Sequence, residues 1–181
     1  MGYTHYWRQL RDFTDTEWQE LTRLTKLITA DGVGSERVKP VLATSGPNDP
    51  ITINNKVIMF NGIGEDGHET FCITKKKRAK MDYEEQEAYD KQGAFEFCKT
   101  AHKPYDKYVV AVLCALYNMK IKLDEETPPV LYIRSDGNTK DWTEGLFHAV
   151  RSTREEEMLC PIRDCLTLSY VDWLDSEKKT G

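Results

Sequence analysis

A chain of 181 residues with a formal net charge of −5 can bury the core of one domain, or of one domain with a tail. Its 39% hydrophobic and 30% charged residues exclude a disordered chain and a membrane-embedded one. The acidic balance argues against a dedicated nucleic-acid binder, which carries a basic excess.

The start, Met1-Gly2-Tyr3-Thr4-His5-Tyr6, has neither the regions of a secretion signal nor a myristoylation site, so a cytoplasmic location is expected. The longest apolar run, residues 108–117, is about half of what a membrane span needs. Tyr3, Tyr6 and Trp7 favour a first strand over residues 2–8, with His5 on it. Phe13 precedes Thr14-Asp15-Thr16-Glu17, a capping box that opens a helix, and Trp18, Leu21, Leu24, Leu27 and Ile28 form its apolar stripe up to Asp31-Gly32. Residues 32–50, rich in glycine, serine and proline, read as a surface loop with one short strand. Ile51-Thr52-Ile53, a turn at Asn54-Asn55, residues 56–60 and residues 69–74 make an antiparallel meander.

The basic block Lys75-Lys76-Lys77-Arg78-Ala79-Lys80 runs into Asp82-Tyr83-Glu84-Glu85-Gln86-Glu87, which reads as a solvated helical surface paired at i,i+4. A weak nucleic-acid contact through Lys75 to Lys80 is the alternative. Residues 95–99 alternate as a strand, and Tyr105, Tyr108, Val109, Val112, Leu113, Leu116 and Tyr117 give a helix apolar nearly all round, hence central. After a polar connection over 124–129 come a strand at 130–134, a turn at 135–138, and a helix over 142–152 with Trp142, Leu146, Phe147 and Val150 inward. Residues 154–181 hold an acidic run, the apolar patch Leu166, Leu168, Tyr170, Val171, Trp173 and Leu174, and a charged tail expected to be mobile. These elements predict an α+β domain over 1–153, a mostly antiparallel sheet covered by about three helices, followed by a C-terminal extension over 154–181.

Five cysteines are an odd number, and Cys72, Cys98 and Cys114 lie in apolar segments, so reduced thiols are expected. Cys160 and Cys165 have a zinc-like spacing but no second pair, and a metal held by Asp66, His68 and Glu69 is disfavoured because alternate strand residues face opposite ways. No metal and no cofactor are expected.

The candidate chemistry lies in two stretches. Phe60-Asn61-Gly62-Ile63-Gly64-Glu65-Asp66-Gly67-His68-Glu69-Thr70-Phe71 is a polar glycine loop between strands. Thr100-Ala101-His102-Lys103-Pro104 brings hydroxyl, imidazole and ammonium groups to a helix start, where free amides and the dipole favour an anion. If the strand ending at Lys99 lies beside the one starting at Glu69, then His68, Thr70, Lys99, Thr100, His102 and Lys103 share an anion or nucleotide-phosphate site, with Asn61, Asp66, Tyr105 and Asp106 as polar support. On the other reading Thr100 only caps the helix, the lysines are solvated, and Gly62, Gly64 and Gly67 form a turn in which Asn61 and Asp66 bond locally. His68-Glu69-Thr70 resembles one half of the paired His-x-Thr pattern of 2H phosphoesterases, but no second copy exists, so that mechanism is not assigned. Nucleophile-elbow, Walker and metalloprotease motifs are absent, which favours a non-enzymatic protein.

Gly2-Tyr3-Thr4-His5-Tyr6-Trp7, Phe60-Asn61-Gly62, His68-Glu69-Thr70-Phe71, Cys98-Lys99-Thr100-Ala101 and Pro104-Tyr105-Asp106 together resemble a set of small uncharacterised proteins of bacteriophages and mobile elements. The resemblance covers about two thirds of the chain. It implies a setting in which compact acidic proteins inhibit host defence, including anti-CRISPR proteins that bind a Cas nuclease. The expected function is thus an interaction protein of that kind in a bacterial cytoplasm, and the alternative is a nucleotide-phosphate binder or phosphoesterase at the His68 and Thr100 region.

Overall fold

The computed structural model describes residues 2–34, 41–44, 46, 49–123, 130–162 and 167–169. Strand β1 (Thr4–Gln9) leads to helix α1 (Asp15–Thr29), which opens on the predicted capping box. The Glu17 amide donates to Thr14 Oγ1 (3.2 Å), the Thr14 amide donates to Glu17 Oε2 (2.8 Å), and Phe13 packs on Trp18 with ring centroids 5.2 Å apart. Trp18, Leu21, Leu24 and Ile28 are buried, whereas Leu27 is 40% exposed and falls outside the stripe assigned to it. Its neighbour Ile28 takes the inward position of that turn.

Strands β2 (Leu42–Ala43), β3 (Thr52–Ile53), β4 (Val57–Gly62) and β5 (Phe71–Thr74) form the predicted antiparallel meander. β2, β3 and β5 each pair antiparallel with β4. Ile58, Phe60, Phe71 and Ile73 point into the core. Of the predicted 32–50 loop, residues 35–40, 45, 47 and 48 lie outside the described residues.

The charged block is not the helix its i,i+4 charges suggest. Residues 75–85 are irregular, and helix α2 covers only Gln86–Gln92. Partners distant in sequence win over local pairing. Arg78 grips Glu84 through two nitrogens (2.6 and 3.0 Å), also binds Glu96, and donates to the Phe95 carbonyl (2.6 Å). Lys75 pairs with Asp15, and the Lys77 amide donates to Asp12 Oδ1 (2.8 Å), which ties the block to the start of α1.

Strand β6 (Ala94–Lys99) precedes α3 (Asp106–Leu123), whose residues Val109 to Ala115 are essentially without exposure. α3 packs against both α1 and helix α4 (Thr139–Thr153), which follows strand β7 (Leu131–Ser135). α4 begins three residues before the predicted Trp142, because Asn138 forms a capping box with Asp141 (2.8 Å from the Asn138 amide to Asp141 Oδ2). Trp142, Leu146 and Val150 are fully buried and Phe147 partly so. A side chain at Gly145 would come within 2.4 Å of Val110, so glycine sets how closely α4 approaches α3. Strand β8 (Glu157–Leu159) pairs antiparallel with β9 (Thr167–Ser169), and Met158, Cys160 and Ile162 join the core. The 124–129 connection, Cys165, and Leu166, Tyr170, Val171, Trp173 and Leu174 of the apolar patch lie outside the described residues.

β1 is the middle of a second antiparallel sheet in the order β6-β1-β7. The protein is therefore α+β, with helices packed against antiparallel sheets. Cys72, Cys98 and Cys114 are free thiols, and burial pushes the Cys98 thiol up to about 12. No helix among the described residues is long and apolar enough to cross a membrane.

Candidate functional site

The two stretches singled out in the sequence do meet. The Glu69 amide donates to the Lys99 carbonyl (3.2 Å), the Lys99 amide to Glu69 Oε2 (2.7 Å), the Tyr105 hydroxyl to the Glu69 carbonyl (2.6 Å) and Lys103 Nζ to the Glu65 carbonyl (2.7 Å). The same bonds engage groups that an anion would otherwise use.

Asn61 staples the glycine loop: its Oδ1 accepts from the amides of Gly62 (2.8 Å) and His68 (3.1 Å), and its Nδ2 donates to the His68 carbonyl (2.9 Å) and to Thr70 Oγ1 (3.3 Å). A side chain at Gly62 would lie 2.2 Å from the Asp66 carbonyl oxygen, and Gly64 has φ +59°. Asp66 sits exposed in a short 3₁₀ turn (Gly64–Asp66). His68 is exposed, and since β5 starts only at Phe71, His68 and Thr70 do not share a strand face. Thr100 is buried and donates to Asp106 Oδ1, so the carboxylate at the start of α3 belongs to the chain itself. His102, in the left-handed region with Ala101, stacks on Tyr3 at 3.6 Å between centroids.

From Asp106 a chain of polar groups runs through the sheet. His5, with 0% exposure, places Nε2 2.7 Å from Asp106 Oδ1 and Nδ1 3.1 Å from Ser135 Oγ, which accepts from the Gly137 amide (3.0 Å). With Nε2 donating to the carboxylate, Nδ1 accepts from the Ser135 hydroxyl, and each member is satisfied. Trp142 closes over the imidazole edge-on at 5.2 Å, and a side chain at Gly137 would strike the Tyr3 ring at 2.6 Å. Ser, His and Asp stand here in the order of a nucleophile, base and orienting acid, but the ring has no exposed surface on which a substrate proton could be exchanged. The chain is a lock that fastens β1 to β7 and α3. Sequence reasoning put His5 on a strand but could not see partners 101 and 130 residues away.

The feature that sequence reasoning missed is the opposite face of the same sheet. The register gives two rungs, Phe97–Tyr6–Arg134 and Phe95–Arg8–Tyr132, whose side chains share the outer face. Phe97 is 51% and Tyr132 57% exposed, while their strand neighbours Cys98 and Leu131 are buried on the inner face. The rings tile the face: Tyr6 lies 6.1 Å from Phe95, Phe95 lies 6.0 Å from Phe97, and the Arg8 guanidinium stands 5.2 Å over Phe95. A cleft of about 840 Å³ opens there, lined by Tyr6, Arg8, Lys91, Phe95, Tyr132 and Arg134 among others. Among the described residues Arg8, Arg134 and Arg154 have no carboxylate partner, although Arg8 donates to the Gly93 carbonyl (3.4 Å), whereas Arg11, Arg23, Arg78 and Arg151 are paired with Glu17, Glu20, Glu84 and Asp31. Within the face Asp136 accepts from the Tyr6 hydroxyl (3.2 Å), and Lys91 at the rim pairs with Glu87 (2.6 Å). The alternation of Tyr6 with Arg8, Phe95 with Phe97 and Tyr132 with Arg134 was the available signal.

No family model, curated protein or solved structure matches this chain. Among the described residues no group of three or more His, Cys, Asp or Glu side chains could hold a metal ion.

Proposed function

We propose that this protein acts by binding, and that its recognition surface is the outer face of the β6-β1-β7 sheet. The carrying observation is that exposed Phe97, Tyr132 and Arg134 share one face with half-buried Tyr6, Arg8 and Phe95, neither arginine having a carboxylate partner, in a protein of net charge −5. Contiguous exposed apolar surface rimmed by charge marks an interaction site, and aromatic and arginine side chains are those that carry interface energy. Inhibition of a host nucleic-acid-directed nuclease, the function implied by the phage-type resemblance, would be one form of such binding, supported by the acidic charge of the whole molecule.

The test is photo-crosslinking with benzoylphenylalanine at position 97, compared with the same group at position 83, where Tyr83 is 76% exposed on the irregular 75–85 segment. Adducts formed in a bacterial host through position 97 and not 83 are expected. Equal yields from the two positions, or no adduct, would overturn the reading.

A further inference from the structure

Resting on that reading, we infer that the outer sheet face takes single-stranded nucleic acid, with Phe97 and Tyr132 stacking bases and Arg8 and Arg134 holding phosphates. Charge complementarity singles out this occupant. A second copy docked through the same face would set Arg8 and Arg134 against the same two arginines, and an apolar peptide would leave them facing no negative charge, where burial of a guanidinium without an anionic partner is costly. A polyanion supplies the missing charge at every nucleotide.

The aromatic spacing fits the same occupant. Phe95 and Phe97 project from one strand with centroids 6.0 Å apart, and Tyr132 stands two strands away on the rung of Arg8 and Phe95. Bases splayed from a single strand need π surfaces separated by several ångströms, with cations between them, which this face provides. A duplex hides its base faces inside the stack and cannot use Phe97 or Tyr132. Asp136, two residues beyond Arg134, holds the Tyr6 hydroxyl and bounds the phosphate path at that end of the face.

The experiment titrates the full chain into a fluorescein-labelled twelve-nucleotide oligo-dT, an oligo-U of the same length and a duplex, read by anisotropy at several salt concentrations. A single strand is expected to bind at least tenfold more tightly than the duplex. Phe97→Ala with Tyr132→Ala weakens binding at least tenfold and leaves the salt slope unchanged. Arg8→Gln with Arg134→Gln weakens binding and reduces that slope by about 1.4, as loss of two phosphate contacts requires. Circular dichroism confirms that the variants fold. Equal affinity for single strand and duplex, or no binding to either, would overturn the inference. If no oligonucleotide binds but a protein crosslinks through position 97, the nucleic-acid assignment fails while the recognition surface stands. If no adduct forms either, both fall.

Discussion

His5 Nε2 and Asp106 Oδ1 lie 2.7 Å apart across 101 residues of sequence, with the imidazole at 0% exposure and the carboxylate side chain at 13%. That contact, with Thr100 on one side and Ser135 on the other, closes a structural network on the sheet's inner face. Asp106→Ala strands the His5 and Thr100 donors, and a loss of about 3 kcal/mol in urea unfolding is expected. Asp106→Asn, which keeps an acceptor oxygen, should lose less. An alanine variant within about 0.5 kcal/mol of the parent would contradict the role given to this network.

Arg78 holds the Glu84 carboxyl down to about 2 from an ordinary 4.5, chiefly by its hydrogen bonds. A depressed carboxyl stabilises the fold fully above 4.5 and loses that contribution as pH falls through the folded value of about 2. Glu84→Gln should therefore be less stable at pH 7, by about 2 kcal/mol, and should show a flatter decline between pH 4.5 and 2. Parallel acid profiles for the two proteins would show that the pair contributes nothing to acid stability.

His148 also loses its contribution as pH falls, but because the fold holds it neutral, not charged. Burial lowers its pKa below the ordinary 6.5 against the opposing pull of the Ile28 carbonyl and Asp31. Its Nε2 donates to the Ile28 carbonyl (2.8 Å) and its Nδ1 accepts from Arg151 (2.9 Å), so the neutral ring is the one the site holds. The unfolded chain takes up a proton first, so stability is complete above 6.5 and declines as pH drops below it. Thermal melts at pH 7.5 and 5.5 should differ more for the parent than for His148→Gln. An equal difference would remove His148 as the cause.

The two faces of the β6-β1-β7 sheet should respond differently to truncation. Phe97→Ala and Tyr132→Ala, at 51% and 57% exposure, are expected to change stability by less than about 0.5 kcal/mol. Trp142→Ala, with no exposure, should cost about 4 kcal/mol. A large loss for Phe97→Ala would mean that the outer face is packed against something in the free protein.

Local signals were the legible ones. The Thr14–Glu17 capping box, the alternation of β4 and β5 around the glycine loop, and the apolar run of α3 each sit within a few residues, so the sequence displays them directly. The meeting of Glu69 with Lys99 was anticipated as a condition, though β5 and β6 belong to different sheets and the contact is made just before β5 begins. What depended on register was hidden: alternation shows that Phe95 and Phe97 share a face, but only pairing with Tyr6 and Arg8 shows which face that is. The Asn138–Asp141 capping box was overlooked in favour of the apolar start at Trp142. The 75–85 segment misled because Asp15 and Glu96, remote in sequence, take the charges of Lys75 and Arg78, and Asp12 takes the Lys77 amide.

The central claim is that the outer sheet face, not the basic segment, is where nucleic acid lies. The direct measurement is ultraviolet crosslinking of a 4-thiothymidine-substituted single strand to the full chain, with the modified peptides identified by mass spectrometry. Adducts on the β6 and β7 peptides that contain Phe97 and Tyr132 are the expected result. Adducts confined to the peptide spanning Lys75 to Lys80, or none at all, would contradict it.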